Sequence, residues 1–341
     1  MSSDEAIQLT NNDASTCKSY AVSKGYWHDP YISYFSSNQQ LMEHKPPEMS
    51  RGYFARVNAM RSRVYKFLDK FDDAQIINLG AGYDTLYFDL IDRNLKFKKY
   101  IEIDFSRIVS SKIRLIRTKK NLSDKIPKPK VEEIHQPEAQ SQGEFKVPSL
   151  FPRPISVHPA LKSNTEIHAG NYDLISADLR NLKDLDQKLK TCDINFDQPT
   201  LIIAECVLVY MSNEHSSSLL KYLTDNFKKV AFVNYEQVNL KDKFGDIMLA
   251  NMEARACKLQ GTDACASKQT QLERFVTCGF VQDFCQIITM SDFYLNKMDK
   301  LERSRIESIE FLDETELLFQ LMDHYCVCIA SNSEEFKQLF F

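Results

Sequence analysis

The sequence lacks the usual signals of a membrane protein, a zinc protein and a nucleic-acid-binding protein. No segment approaches the roughly 18 uninterrupted apolar residues that a membrane helix needs. The nine cysteines include no C-x-x-C pair, which argues against a zinc site and a disulfide framework. The formal net charge of −4 offers a polyanion no general attraction. We therefore expect a protein that binds no membrane, no nucleic acid and no metal ion.

The N-terminal segment "MSSDEAIQLTNNDAS" also lacks the basic and apolar regions of a signal peptide. Free thiols suit a reducing compartment. We expect a cytoplasmic protein, with the nucleus as a further compartment. Nothing in the sequence indicates a coiled coil or an exposed apolar seam, so we expect a monomer.

From residue 75 onward, short apolar runs alternate with helical stretches. Five such runs are "QIINLG", "KYIEID", "YDLISAD", "TLIIAEC" and "VAFVNYE". Apolar strands that alternate with helices are typical of a parallel sheet covered on both faces. We expect a sixth strand in "FVQDFCQII" and a terminal, antiparallel strand in "HYCVCIAS".

Periodicity and composition divide the chain into four regions. We predict a flexible N-terminus over 1–13, a helical cap over 14–72, the α/β domain over 73–332 and a C-terminal tail over 333–341. Residues 119–170 interrupt the α/β domain and contain seven of the eleven prolines. Such a segment is either a surface insertion or a functional lid. We favour a mobile insertion, because its polar and proline-rich composition buries little apolar surface.

Glycine is scarce, with nine residues, yet two glycines stand one residue apart in "INLGAGYDT". A dinucleotide fingerprint requires G-x-G-x-x-G. Gly80 and Gly82 fill the first two places, but Thr85 occupies the third, which disfavours NAD. By itself the loop could equally be a structural turn. Asp104 follows at the end of the second strand, where an acid can accept hydrogen bonds from ribose hydroxyls. A two-glycine loop with a ribose acid fits S-adenosylmethionine better, since that cofactor has no pyrophosphate.

Two further strand ends carry candidate binding residues. Asp178 could accept a hydrogen bond from the adenine amino group while Leu179 packs on the ring, although Asp178 could also cap a helix. Glu205 follows a buried strand and needs a cationic partner or solvent. Tyr210 could bring its ring or hydroxyl near the transferred methyl group, or simply pack on the sheet.

A cluster of arginines in "RGYFARVNAMRSR" supplies a candidate partner for a carboxylate. Arg56 lies among apolar residues and is the best candidate for a side chain directed inward. We expect Arg61 and Arg63 on a solvated helix face.

These motifs occur in an order that resembles one known family. The segments are "CKSYAVSKGYWHDPYI", "RGYFARV", "NLGAGYDT", "EIDF", "ADLRNL", "LIIAECVLVYM", "NYEQVN" and "SRIESIEFLDE". Together they are similar to the leucine carboxyl methyltransferases. The resemblance implies a seven-stranded, Rossmann-like class I S-adenosylmethionine-dependent methyltransferase fold with an N-terminal helical cap. The cofactor-binding positions that it implies are Lys18, Arg56, Gly80, Asp104, Asp178, Leu179 and Glu205.

The resemblance also implies a reaction. The substrate would be the α-carboxylate of the C-terminal leucine of the protein phosphatase 2A catalytic subunit, and the cofactor product S-adenosylhomocysteine. We expect Arg56 and Tyr210 to hold the substrate carboxylate, with Tyr235 and Glu236 as weaker candidates for the groove wall. The alternatives are a carboxyl methyltransferase for another protein or small molecule, and an inactive cofactor-binding scaffold.

Overall fold

One sheet of eight strands forms the centre of the protein. The computed structural model describes residues 3–36, 44–128 and 165–341. The strand order is β3-β4-β2-β1-β5-β6-β8-β7. The strands are β1 Gln75–Leu79, β2 Lys99–Asp104, β3 Ile167–Ala169, β4 Tyr172–Ser176, β5 Thr200–Glu205, β6 Val230–Gln237, β7 Cys285–Thr289 and β8 Tyr325–Ser331.

The five predicted parallel strands are confirmed, because β4, β2, β1, β5 and β6 pair in parallel. The terminal strand β8 runs antiparallel between β6 and β7, as predicted. Strand β7 begins later than "FVQDFCQII" suggested, since a short 3₁₀ helix occupies Gln282–Phe284. The sequence analysis missed strand β3, which has three residues and pairs antiparallel with the edge of β4. The sheet therefore has eight strands within the described residues, one more than the seven expected.

Twelve α-helices connect or cover these strands in the described part of the chain. They are α1 Ser3–Ser23, α2 Pro47–Lys70, α3 Leu86–Asp92, α4 Ser106–Thr118, α5 Lys120–Ser123, α6 Leu182–Thr191, α7 Asn213–Asn226, α8 Lys243–Ala254, α9 Lys268–Val276, α10 Met290–Asp292, α11 Lys300–Glu307 and α12 Thr315–Asp323.

Alternating side chains of the central strands fill two cores, one on each face of the sheet. On one face Ile76 of β1 joins a cluster with Phe67 of α2. On the other face Ile77 joins a cluster with Leu219 of α7 and Phe275 of α9. Each large side chain buried in this way contributes about 1.5–3 kcal/mol. A sheet covered on both faces explains why its strands read as nearly continuous apolar runs.

The predicted flexible N-terminus over 1–13 differs from the structure, in which α1 begins at Ser3. Hydrophobic patterning does not reveal the first half of this helix, because the single residue that it buries before Ser15 is Ala6. The predicted insertion over 119–170 lies largely outside the described residues. Its described flanks form α5 and β3.

The arginines of α2 connect the cap to distant segments. The prediction of a solvated face for Arg61 and Arg63 was wrong. Arg61 forms an ion pair with Asp29 at 3.0 Å, and Arg63 donates to the backbone carbonyls of Leu339 and Phe340 at 2.8 and 2.9 Å. These partners lie far away in the sequence, so helical periodicity gives no sign of them. Among the described helices, none combines the length and the apolar character that a membrane span requires.

Candidate functional site

A cavity of about 310 Å³ opens at the carboxyl ends of β1, β2, β4 and β5 and is covered by α1. In open α/β sheets ligands bind outside the carboxyl ends of the strands. The cavity lining includes all eight residues predicted as site residues, which are Lys18, Arg56, Gly80, Asp104, Asp178, Leu179, Glu205 and Tyr210. The structure therefore brings the whole predicted set together at one place.

The glycine loop follows β1 and forms one wall of the cavity. Gly80 has φ +60°, a left-handed conformation that other residues adopt at a cost. A Cβ at Gly80 would stand 2.6 Å from Cγ2 of Val207. Gly82 has φ +51°, and a Cβ there would collide with the side chain of Asn11. Both positions therefore require glycine, because each has a left-handed backbone conformation. A side chain at Gly80 would also clash with Val207, and one at Gly82 would clash with α1.

Asp104 ends β2 directly beside this loop. Its Oδ2 accepts the N–H of Gly82 and its Oδ1 accepts the N–H of Phe105, both at 2.7 Å. Burial raises the pKa of the Asp104 carboxyl, and these two backbone donors act in the opposite direction. The side chain is thus fixed in orientation, and each oxygen keeps a further lone pair for a ligand hydroxyl.

Asp178 lies beyond β4 and already has a partner. Arg180 donates to both of its oxygens, with distances of 2.8 to 3.1 Å, and also binds Asp4 of α1 at 2.7 Å. Burial acts to raise the pKa of Asp178, but the hydrogen bonds from Arg180 outweigh it and lower the pKa. Leu179 is buried beside them and lines the cavity. Sequence reasoning missed Arg180, although it stands in the quoted motif "ADLRNL".

Glu205 ends β5 and forms ion pairs with two cationic side chains. Its Oε2 accepts Nε of Arg56 at 2.6 Å and lies 3.4 Å from Nζ of Lys18. Burial acts to raise the pKa of Glu205, but the charges of Lys18 and Arg56 outweigh it and lower the pKa to about 2. The three side chains come from β5, α2 and α1, so they join the cap to the sheet.

Aromatic rings surround the Arg56 guanidinium. The ring of Tyr235 lies 4.6 Å from it and that of Tyr53 lies 5.7 Å away. Tyr325 stacks on Tyr235 with ring centroids 5.2 Å apart. Rings of this kind stabilise a cation and exclude water from it. The sequence indicated Tyr235 as a weak candidate only. Tyr53 was missed although it stands in the quoted motif "RGYFARV", and Tyr325 was missed because it lies outside the quoted motifs.

Tyr210 combines the two roles that the sequence left open. It lines the cavity and also packs on a small apolar cluster with Val209 and Leu259. Burial raises the pKa of its hydroxyl, which therefore stays protonated and can donate a hydrogen bond.

Glu236 does not form a groove wall, and that prediction was wrong. Successive side chains of a strand point to opposite faces of the sheet. Tyr235 faces Arg56, whereas Glu236 is fully buried on the other side, where it accepts the N–H of Val209 at 3.0 Å.

Helix α1 contributes more of the cavity than any sequence signal indicated. Its lining residues include Asp4, Ile7, Asn11 and Lys18, which recur at helical spacing along one face. Asn11 also accepts the N–H of Tyr83 at 2.8 Å and so ties α1 to the glycine loop. The helical spacing of the polar residues Asp4, Asn11 and Lys18 was the available sequence signal, but a polar stripe is usually a solvated face.

The donors and acceptors of the cavity suit an adenosine-containing cofactor with a charged amino-acid end. Asp104 offers a carboxylate to a ribose, and Asp178 with Leu179 offers an acceptor and an apolar surface to a base. At the opposite end, Glu205 and its two cationic partners match an ammonium group and a carboxylate.

The chain is similar over most of its length to known proteins of one family. The profile of the family described as leucine carboxyl methyltransferase matches residues 6–224. The chain is 41% identical to leucine carboxyl methyltransferase 1 of Rattus norvegicus over 332 residues, which cover 96% of this chain and 90% of the relative. It is 42% identical to leucine carboxyl methyltransferase 1 of Caenorhabditis elegans, over 97% of this chain and 92% of the relative.

Among solved structures, a protein from Thermobifida fusca YX that is assigned as a methyltransferase superposes with a TM-score of 0.52. The superposition covers 84% of this chain and 83% of that chain, at 11% sequence identity. This likeness concerns the fold, and it confirms the predicted methyltransferase-like α/β architecture.

Proposed function

The chain belongs to the leucine carboxyl methyltransferase family, and from that premise we propose that it esterifies the C-terminal leucine of the protein phosphatase 2A catalytic subunit. It is a methyltransferase that depends on S-adenosylmethionine. The ester would regulate assembly of the phosphatase holoenzyme. We expect the enzyme to act as a monomer in the cytoplasm and also in the nucleus.

The observation that carries the proposed chemistry is the position of Arg56 in the cavity. Its Nε binds Glu205 at 2.6 Å, and its Nη2 lies 3.5 Å from the Glu205 carbonyl oxygen. Within the part of the chain that the structure describes, Nη1 of Arg56 has no acceptor. A guanidinium that a carboxylate fixes through Nε can still hold the carboxylate of a ligand through Nη1.

Bound S-adenosylmethionine would supply an electrophilic methyl group on a sulfonium, which a carboxylate oxygen can attack directly. Asp104 would hold the ribose, Asp178 and Leu179 the adenine, and Lys18, Arg56 and Glu205 the methionine end, with the backbone of Gly80 alongside it. Each of these residues lines the cavity.

The protein needs no general base for this reaction. A C-terminal carboxyl group has a pKa of about 3.3–3.7 and is already ionised at pH 7. The task of the chain is therefore to orient the carboxylate and to exclude water. Arg56 and the protonated Tyr210 hydroxyl would hold the carboxylate through its other oxygen, since a tight ion pair on the attacking oxygen would lower its nucleophilicity.

The proposal is tested by incubating the protein with methyl-labelled S-adenosylmethionine and the phosphatase catalytic subunit. We expect a base-labile methyl ester on the C-terminal residue. Label on other proteins or on small carboxylic acids, with none on the phosphatase, would contradict the proposed substrate.

The role of Tyr210 has a matched test. Tyr210→Phe removes one hydroxyl and keeps the ring, so methyl transfer should fall roughly tenfold, the value of one hydrogen bond to a charged group. Tyr222→Phe is the control, because Tyr222 donates to a carboxylate, that of Asp186 at 2.9 Å, and does not belong to the cavity lining. Equal rates for the two variants would remove Tyr210 from the site.

A further inference from the structure

The segment that follows β5 is a tight turn that carries several residues of the site. We call residues 205–211 the strand-five turn. Glu205 binds Arg56, Val207 lies against Gly80, and Tyr210 lines the cavity. Cys206 has φ +57°, a left-handed conformation that is unusual for a residue with a side chain. A turn with such strain persists only where its surroundings hold it in place.

Two buried groups hold the middle of this turn from outside the cavity. The N–H of Val209 donates to Oε2 of Glu236 at 3.0 Å. The carbonyl of Val209 accepts the N–H of Gly261 at 2.8 Å. A Cβ at Gly261 would stand 2.9 Å from the carbonyl oxygen of Met211 and 3.1 Å from that of Leu208, so this backbone approach requires glycine. The peptide units next to Tyr210 are thus fixed on both sides.

Burial of the Glu236 carboxylate at this position is energetically unfavourable. It is fully buried in the second half of β6, and its only cationic neighbour on that face is Arg274 of α9, at 3.6 Å and itself buried, within the described residues. A buried carboxylate whose cationic partner lies beyond hydrogen-bond distance destabilises a fold unless another donor forms a hydrogen bond with it. Val209 supplies that hydrogen bond.

We propose that Glu236 is a positioning residue of the methyltransferase site. It holds the strand-five turn through the Val209 N–H and thereby fixes the positions of Tyr210 and of Val207, which lies against Gly80. The inference rests on the proposed function of the cavity in front of it. Glu236 itself stays on the far side of the sheet and touches neither cofactor nor substrate.

The ionisation of Glu236 gives this role a signature that can be measured. Burial raises its pKa to about 7, against the opposing effects of Arg274, the Val209 N–H, Asn234 and Arg56. Because the native pKa lies above the ordinary value, the native state takes up the proton first. The Val209 N–H therefore faces a weaker, neutral acceptor as pH falls through 7. The other titratable groups that interact electrostatically with Glu236 are Cys206, Cys265 and Cys326, and Tyr325 across the sheet.

The first test compares two substitutions by the turnover of folded protein at saturating substrates. Glu236→Gln keeps an acceptor for Val209, and Glu236→Met removes it at similar volume. We expect methyl transfer to fall at least roughly tenfold in Glu236→Met and less than about threefold in Glu236→Gln, as for loss of one charge-assisted hydrogen bond.

The matched control is Gln75→Met. Gln75 is equally buried and binds Asn195 and Thr200, but it lies at the amino end of β1, away from the cavity. It should lose stability and keep its turnover. Folded Glu236→Met with wild-type turnover would overturn the inference. A wild-type protein that transfers no methyl group would instead contradict the proposed function.

A second measurement needs no destabilised variant. In ¹⁵N-valine-labelled wild-type protein, the amide proton shift of Val209 should titrate with a midpoint near the Glu236 pKa of about 7. The titration should vanish in Glu236→Gln. A Val209 amide proton shift that is the same in the wild type and in Glu236→Gln at about pH 9, where a carboxylate and an amide acceptor should differ, would overturn the inference even if Glu236→Met does not fold.

Discussion

Replacing Arg56 by methionine should destabilise the folded protein by about 3 kcal/mol at pH 7. The substitution removes the guanidinium whose Nε lies 2.6 Å from Glu205 and leaves Lys18 at 3.4 Å as the remaining counter-charge. The pKa of Glu205 falls from an ordinary 4.5 to about 2 in the folded protein, against burial, through the charges of Lys18 and Arg56 together. This net shift corresponds to about 3.4 kcal/mol for the two cations at 1.36 kcal/mol per unit, and removing one partner of a buried ion pair typically costs about 3–5 kcal/mol.

The pH dependence of this loss has a definite sign. A native pKa below the unfolded value adds stability that is fully present above the unfolded pKa of about 4.5 and disappears as pH falls toward 2. The difference between the wild type and Arg56→Met should therefore be constant from about pH 8 to pH 5 and should shrink below about pH 4.5.

Urea unfolding at several pH values measures both quantities. Arg114→Met, on the exposed face of α4, is the control and should change the free energy of unfolding by less than about 0.5 kcal/mol. Arg56→Met combined with Glu205→Gln should recover about half of the loss or more, since it removes both charges. The reasoning fails if Arg56→Met unfolds like the control at pH 7, or if its loss grows as pH falls.

Three further substitutions test separate walls of the cavity. Gly80→Ala should cost about 2–5 kcal/mol of unfolding free energy from the left-handed backbone and the clash with Val207, and Val207→Ala in the same chain should recover only the clash; full recovery in urea unfolding would refute the backbone part. Asp104→Asn should weaken S-adenosylmethionine binding in calorimetry by roughly 10- to 100-fold, because the ribose loses charged acceptors; an unchanged Kd would place the ribose elsewhere. Arg180→Met should speed cofactor dissociation by roughly two- to fivefold at low salt and less at high salt, because it releases Asp4 of α1; a stopped-flow rate that does not change would show that this ion pair does not hold α1 closed.

The sequence predicted the convergence of the site because parallel strands share an edge. Asp104 and Glu205 end two such runs, and Asp178 follows a third, so their meeting follows from strand order alone. The glycine pair after β1 marked the same edge. Local sequence pattern was therefore sufficient to predict the site residues that lie at or just after the end of a strand.

Local sequence pattern could not predict the contacts between segments that lie far apart in the chain. Residues 1–13 were predicted to be flexible because the segment is polar, whereas they form the first half of α1 from Ser3 onward and several of these polar side chains line the cavity. The partners of Arg63 lie 276 and 277 residues away. Glu236 and its neighbour Tyr235 point to opposite faces of the sheet. Because the strand is buried on both faces, no alternation of polar and apolar residues shows which of the two side chains faces the cavity.

The most direct test of the account is the rate of methyl transfer to three forms of the phosphatase catalytic subunit. They are the intact chain, the chain without its terminal leucine, and the chain ending in leucinamide. We predict an ester on the intact chain and none on the other two, because Arg56 and Tyr210 would orient a free leucine carboxylate. Methylation that survives removal of the leucine would contradict the central claim.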